Sequence, residues 1–231
     1  DIIVAVGGDG SVNEIARGLI NQPCTLAIIP TGSGNGLARH LNIPMNLSKA
    51  LDRIKAGKAI SIDSVQINNE YFFCTAGAGF DAYVGWKFAT AKKRGFWSYT
   101  KIVMKSILSY QPQPIRIKVG EEEHRFDNPL FATCANANQF GNNVIISPRS
   151  VINDGHIRFI EIDKFPLIYY PVFGYYLLTK KLYNFKYYFE VKAKEITIFI
   201  SNEDIHIDGE PVNLGNVLNI KVIPGSLNVI L

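Results

Sequence analysis

The chain has 231 residues, enough for one large domain or two small ones and for a core that folds without crosslinks. Hydrophobic residues at 47% and charged residues at 19% exclude a disordered or low-complexity protein, and no run of about 18 apolar residues marks a transmembrane helix. A net charge of +4 is too weak to indicate nucleic acid by itself, but it suits a phosphate-bearing ligand or an anionic membrane surface.

Ile2 to Val6 is an unbroken apolar run, the pattern of a strand buried on both faces of a parallel sheet. It opens without a start signal, so earlier structure, or a targeting peptide, is expected ahead of Asp1. After a glycine turn, Val12, Ile15, Ala16 and Leu19 fall on one helix face, with Ser11 and Glu14 spaced as a capping box. A second strand, Leu26 to Ile29, leads into Pro30-Thr-Gly-Ser-Gly-Asn-Gly and a short helix around Leu37 to Leu41. A third helix, capped by Ser48, carries Ala50, Leu51 and Ile54 and stops at Gly57.

From about residue 60 the period changes. Ile115, Ile117 and Val119 alternate with Arg116 and Lys118, and similar runs occur at 155–163, 195–201, 205–208, 217–223 and 226–231. Helical stretches interrupt them near 84–110 and 166–181. The pattern is α/β followed by an antiparallel sandwich or barrel. Cys24, Cys74 and Cys134 are odd in number and widely spaced, which points to a reduced, cytoplasmic protein and away from a disulfide framework or CxxC zinc site.

Two strand–glycine loop–helix units stand close together, Gly7-Gly-Asp-Gly-Ser and Gly32-Ser-Gly-Asn-Gly. Glycine lets the backbone approach an oxyanion, and the helix N-terminus behind it offers unpaired N–H groups and a positive dipole end. Tight turns alone explain either loop. Two together, one with a carboxylate, favour phosphate. The acidic residue of a Rossmann fingerprint is missing from any strand end, since Asp52 lies in a helix, and no G-x-x-x-x-G-K-[ST] is present. Asp9, between glycines, suits Mg²⁺ held against phosphate oxygens.

Gly7-Gly-Asp-Gly-Ser-Val-Asn-Glu followed by Pro30-Thr-Gly-Ser-Gly-Asn-Gly-Leu-Ala-Arg resembles the diacylglycerol kinase catalytic family, which includes sphingosine, ceramide and bacterial lipid kinases. Ala76-Gly-Ala-Gly-Phe-Asp-Ala is similar to its G-x-G-F-D-A motif. Ser147-Pro-Arg-Ser-Val-Ile-Asn-Asp-Gly is similar to its P-x-A-x-x-x-D-D-G segment, and Ile207-Asp-Gly-Glu-Pro to its D-G-E motif. Five ordered motifs cover nearly the whole chain, whereas GGDG alone is shared with NAD kinases and phosphofructokinases.

The resemblance implies a lipid kinase using ATP and Mg²⁺ on the hydroxyl of a diacylglycerol- or sphingoid-like lipid. The fold it implies is α/β plus β. A truncated Rossmann-like nucleotide-binding domain occupies residues 1–60, its N-terminal part missing from this chain. An antiparallel β-sandwich-like domain with inserted helices, carrying the catalytic carboxylate, occupies 61–231. Gly7, Gly8, Asp9, Gly10, Ser11, Val12 and Asn13 are then expected to wrap the ATP phosphates, with Gly32, Ser33, Gly34 and Asn35 as a second nucleotide loop. Glu210 is implied as the general base and Asp208 as its positioning partner, with Asp9 left open as the alternative base. The side chain of Asp154 and the carbonyls of Val151 and His156 are implied as a structural Mg²⁺ site, linked to the active site through Asp81. Two positions depart from the pattern: Gly36 replaces the aspartate of G-T-G-N-D, which draws the loop toward sphingosine-kinase and broad-lipid members, and Asn142-Asn143 stand where glycines are frequent.

Residues 86–110 hold Lys87, Lys92, Lys93, Arg94, Lys101 and Lys105 with no acidic residue, interleaved with Trp86, Phe88, Phe96, Trp97 and Tyr99. Residues 165–189 hold eleven Phe and Tyr with Lys180, Lys181 and Lys186. For the first segment, peripheral docking on an anionic membrane is favoured over a solvated basic face; for the second, an aromatic core is favoured over docking. No nucleic-acid motif accompanies the charge, and a homodimer is left open. His40, His124, His156 and His206 lack ligand spacing and read as ordinary residues. Two rival functions remain, an NAD kinase-like phosphotransferase with a soluble substrate and a non-catalytic lipid- or nucleotide-binding regulator on the same fold.

Overall fold

The computed structural model describes residues 1–89, 102–103, 105–107, 109–201 and 205–231. Most of the basic aromatic run read at 86–110 therefore lies outside the described residues. Strands β1 (Ile2–Gly7) and β2 (Thr25–Pro30) pair in parallel, Val4 against Ala27, across helix α1 (Asp9–Leu19). Val12, Ala16 and Leu19 are buried, as their spacing predicts. The predicted capping box does not form: α1 starts at Asp9, with extended Gly8 as N-cap and no side-chain cap. Nor is β1 enclosed on both faces. Ile2, Ile3, Val4 and Val6 are exposed, because among the described residues β1 ends its sheet with β2 as its one partner strand.

Helices α2 (Gly36–His40) and α3 (Leu47–Ala56) follow. The cap of α3 is Asn46, which accepts the Lys49 N–H, and not Ser48 as predicted; Gly57 ends the helix in the left-handed region. Then come β3 (Ala59–Ile67), β4 (Glu70–Phe72), β5 (Thr75–Gly79), α4 (Phe80–Ala89), β6 (Ile115–Val119), β7 (Glu122–Phe126), β8 (Pro129–Ala135) and β9 (Ile157–Asp163). A 3-10 turn at Leu167–Tyr169, α5 (Tyr170–Leu178) and another 3-10 turn at Leu182–Asn184 lead to β10 (Tyr188–Ala193) and β11 (Glu195–Ile200). The chain ends through β12 (Ile205–Ile207), β13 (Glu210–Val212) and β14 (Val217–Ile230).

Two sheets result. One is mixed, in the order β1-β2-β14-β11-β6-β7, with β3 on β14 and β4 on β3; the other is antiparallel, β10-β9-β8-β5-β12-β13. The runs at 217–223 and 226–231, predicted as two strands, are one strand with an irregularity between Ile223 and Leu227. That strand joins the halves of the molecule: its first part pairs with β11 and its last part with β2, while β3 runs along its length. Buried Asp63 on β3 fixes the irregularity. One carboxylate oxygen accepts the Gly225 N–H at 2.8 Å and the other the Gly155 N–H at 2.7 Å.

Alternating residues fill the space between the sheets, among them Ile67, Phe72, Cys134, Phe159, Ile198 and Ile220. A second cluster sits under α1 and α2, and a third under α4 and α5 on the outer face of the antiparallel sheet. Glu161 lies on the same face of β9 as Ile157 and Phe159, with 2% exposure, and its Oε1 has no hydrogen-bond partner among the described residues. Burial, reinforced by the Asp163 charge, pushes its carboxyl from 4.5 up to about 8. Between those values the folded chain keeps a proton that the unfolded chain has lost, so stability falls as pH rises through this window. The expected loss is on the order of 5 kcal/mol. In urea melts, Glu161→Gln should match the wild type near pH 5 and exceed it at pH 9. Curves that stay parallel over that range would remove Glu161 as the cause.

Candidate active site

The two glycine loops meet backbone to backbone. A Cβ on Gly32 would lie 2.4 Å from the Gly8 Cα, closer than any side chain tolerates. Asp9 Oδ1 accepts the Gly36 N–H at 2.6 Å, and a Cβ on Gly34 would stand 2.6 Å from Asp9 Oδ2, so the first loop is stapled to the second. Asn35, left-handed at φ 51°, closes the second loop on itself through Gly32: its Oδ1 accepts the Gly32 N–H and its Nδ2 donates to the Gly32 carbonyl. Arg39 Nε and the Asn142 N–H both donate to the Gly34 carbonyl at 3.0 Å. Gly7 and Gly10 flank the junction, and Ser11 and Ser33 are exposed at its mouth. α1 begins at this junction with Gly8 as its N-cap, and its first N–H groups have no partner within the helix, the arrangement that holds phosphate. Val12 and Asn13 turn inward. Val12 joins the core and its N–H donates to the Gly8 carbonyl at 3.0 Å, which leaves the N–H groups before it to a ligand.

Asp208 and Gly209, both at positive φ, form the two-residue turn between β12 and β13, where Ile207 pairs with Glu210. The Asp208 carboxylate ties this turn to the first half of the chain. Its Oδ2 accepts from Asn13 Nδ2 at 2.7 Å and the Phe73 N–H at 3.0 Å; its Oδ1 accepts from the Cys74 and Thr75 N–H groups at 2.8 and 3.0 Å. Burial raises this carboxyl above its usual range, against the downward pull of Asn13 and the three backbone donors. Burial raises Asp9 as well, against the Gly36 hydrogen bond and with the Asp208 charge adding to the rise. The two acids line one cavity of ≈ 10 Å³ with Leu37, Phe73 and Cys74, room for about one water. Burial, then the charges of both acids, pushes the Cys74 thiol far up, so it is no nucleophile.

Glu210 is exposed, and its Oε1 lies 3.4 Å from where a Cβ on Gly10 would stand, over the first turn of α1. It is free to meet an acceptor hydroxyl beside bound phosphate. Asp208, with four donors on its two oxygens, is not.

One residue here was read from sequence as ordinary. His206, 3% exposed, faces Asp81 Oδ2 through Nε2 at 2.9 Å, while the Gly209 N–H donates to its Nδ1 at 3.3 Å. That pairing assigns the ring proton to Nε2. Asp81, at the start of α4, also accepts from Thr133 Oγ1 at 2.8 Å. Its hydrogen bonds thus lead to the D-G-E turn and not to the 151–156 turn. The H-x-D-G-E spacing was the available signal, but the partner is 125 residues away.

Asp154, Val151 and His156 share one turn, yet their donors fit a divalent ion poorly. Lys192 Nζ sits 2.9 Å from Asp154 Oδ2, the His156 N–H donates to Oδ1 at 3.0 Å, and His156 Nδ1 lies 2.6 Å from the Asp154 carbonyl. Lys192 already supplies the positive charge. Asp9 fits differently: one oxygen is spent on Gly36, leaving Oδ2 for an ion held mainly by phosphates, as Mg²⁺ usually is.

A parallel β–α–β opening, two touching glycine loops and a β-sandwich carrying an acidic hairpin define the fold class of the diacylglycerol and NAD kinases. A diacylglycerol kinase from Bacillus anthracis str. Sterne superposes with a TM-score of 0.71 at 23% identity, covering 100% of this chain and 75% of that one. An NAD kinase from Archaeoglobus fulgidus in complex with ATP gives 0.53 at 14%, covering 100% and 78%. The diacylglycerol kinase catalytic domain matches residues 1–67, and the YegS C-terminal NAD kinase beta sandwich-like domain matches 74–170. The diacylglycerol kinase of Bacillus subtilis (strain 168) is 30% identical over 217 residues, 91% of this chain and 71% of that protein. The lipid kinase YegS of Escherichia coli (strain K12) is 27% identical over 234 residues, 97% and 76%. The chain belongs to the diacylglycerol kinase/YegS lipid kinase family.

Proposed function

We propose that the chain transfers the γ-phosphoryl group of ATP to the hydroxyl of a diacylglycerol- or sphingoid-like lipid. The observation that carries this reading is the approach of the Glu210 carboxylate to Gly10, in the first turn of α1, which begins at the Gly8–Gly32 junction. On this reading residues 1–60 hold the nucleotide, and residues 61–231 hold the acceptor and supply the base. Asp9 Oδ2 and the phosphates would hold Mg²⁺, which neutralises charge on the transferring group. Glu210 takes the hydroxyl proton, and Asp208 holds the hairpin that carries it. Most of the rate then comes from positioning. At position 36 a side chain would meet Cys74 Sγ at 3.4 Å and Asp9 Oδ1 at 3.5 Å, so glycine there keeps a second carboxylate away from Asp9.

The likeness to an ATP-bound NAD kinase favours a second reading, phosphorylation of a soluble nucleotide on the same frame. One experiment separates the two. Labelled ATP is offered with a panel of lipids in mixed micelles and, separately, with NAD. Label in a lipid supports the proposal; label in NAD alone replaces it.

A further inference from the structure

We infer that α5 and the 3-10 turn before it form a monotopic docking face for an anionic bilayer. The inference rests on the lipid-kinase reading above for the purpose of that face, but its physical basis is independent. From Phe165 to Leu178 no side chain is charged, and the polar groups are confined to four tyrosines. One side of this stretch is spent on the third core cluster, through Phe165, Phe173, Tyr176 and Leu177. The other side is apolar too, and no described residue covers it: Ile168 is 79% exposed and Leu178 85%, with Leu167, Val172 and Tyr175 beside them. A helix apolar all round belongs in an apolar surrounding, and an exposed patch of this kind marks a contact surface. Nine residues of helix span about 14 Å, far short of a bilayer core, so α5 lies on a membrane if it meets one.

The charges choose the occupant. Lys164, Lys180, Lys181 and Lys186 frame the patch, and residues 164–189 contain no acid. Lys186 is held in place, its Nζ 3.0 Å from the Tyr169 hydroxyl and 4.2 Å from that ring. Arg149, which stands 4.0 Å over the Tyr183 ring, and Lys180 line a cavity of ≈ 350 Å³ beyond the C-terminal end of α5. A second copy of the chain would bring these cations face to face with their like, whereas anionic lipid satisfies rings and lysines together.

The face is also near the chemistry. Phe173 on α5 stacks on Phe131 at 6.4 Å, Phe131 lies 6.4 Å from Phe140, and Phe140 meets His206 at 5.9 Å, beside the D-G-E turn.

The test is sedimentation of the full chain with phosphatidylglycerol/phosphatidylcholine vesicles and with phosphatidylcholine alone, for wild type, I168S/L178S and K180S/K181S. Expected is binding that needs phosphatidylglycerol and weakens with salt. It should fall at least tenfold in I168S/L178S and lose much of its salt dependence in K180S/K181S. Undiminished binding by I168S/L178S overturns the inference. So does self-association in the ultracentrifuge that this variant abolishes, without vesicle binding, since a second copy is then the occupant. Phosphorylation of a soluble short-chain lipid is measured alongside and should be unchanged in both variants. Absence of any lipid product, with vesicle binding as stated, sinks the kinase reading and leaves the docking face standing.

Discussion

Glu210→Gln is expected to lower kcat by roughly 10²–10⁴ while leaving nucleotide affinity and folding nearly unchanged. The amide keeps the shape of the side chain and cannot take a proton. Glu210 is exposed and outside the Asp208 hydrogen bonds, so its replacement disturbs neither the hairpin nor the core. ATP titrated by calorimetry should give wild-type affinity, since on the proposed reading phosphate is met by backbone N–H groups and not by Glu210. Asp9→Asn is the contrasting variant. Its amide oxygen can still accept the Gly36 N–H, but the charge offered to Mg²⁺ is gone, so the deficit should appear in Mg-dependent ATP affinity first. Near wild-type turnover in Glu210→Gln would pass the base role to Asp9.

What was legible in the sequence was local. The strand, loop and helix at the start each announce themselves within a few residues, because apolar spacing and glycine are local codes. Relations across the chain were not. Pro224-Gly225 reads as a break between two strands; it is a kink inside one, because Asp63, 162 residues earlier, takes the Gly225 N–H. Asp63 and Ser64 in turn disguise β3, since a strand with two adjacent polar residues does not look buried until Gly155, Gly225 and Ser226 are seen to satisfy them. Ser11 and Ser48 were credible caps, but helix ends are settled by backbone direction, and Gly8 and Asn46 stand where the chain turns. The glycine loops and the D-G-E motif could be named in advance. That Gly8 touches Gly32, or that His206 joins Asp81 to the turn, needed the fold.

Asp208→Ala is expected to cost on the order of 3 kcal/mol of stability and to lower Tm by about 6–12 °C. The carboxylate is where three pieces of the molecule meet: α1 through Asn13, the Phe73–Thr75 backbone between β4 and β5, and the β12–β13 turn that carries Glu210. Alanine leaves four donors without their acceptor, and water can reach only some of them. The turn itself loses a residue suited to positive φ, which adds to the cost. Asparagine is a graded test. Its oxygen can keep the Cys74 and Thr75 N–H groups, but its NH₂ then points at Asn13 Nδ2 and the Phe73 N–H, donor against donor, so Asp208→Asn should recover only part of the loss. Asn13→Ala completes a cycle. If Asp208 acts by welding α1 to the hairpin, the double variant should be less than additive by about 1 kcal/mol or more in chemical denaturation. Catalysis should fall in Asp208→Ala even at temperatures where it is fully folded, with kcat affected more than the KM for ATP, because the turn no longer holds Glu210 over α1. A Tm within 2 °C of wild type, or additive single effects, would leave the hairpin anchored by strand pairing alone.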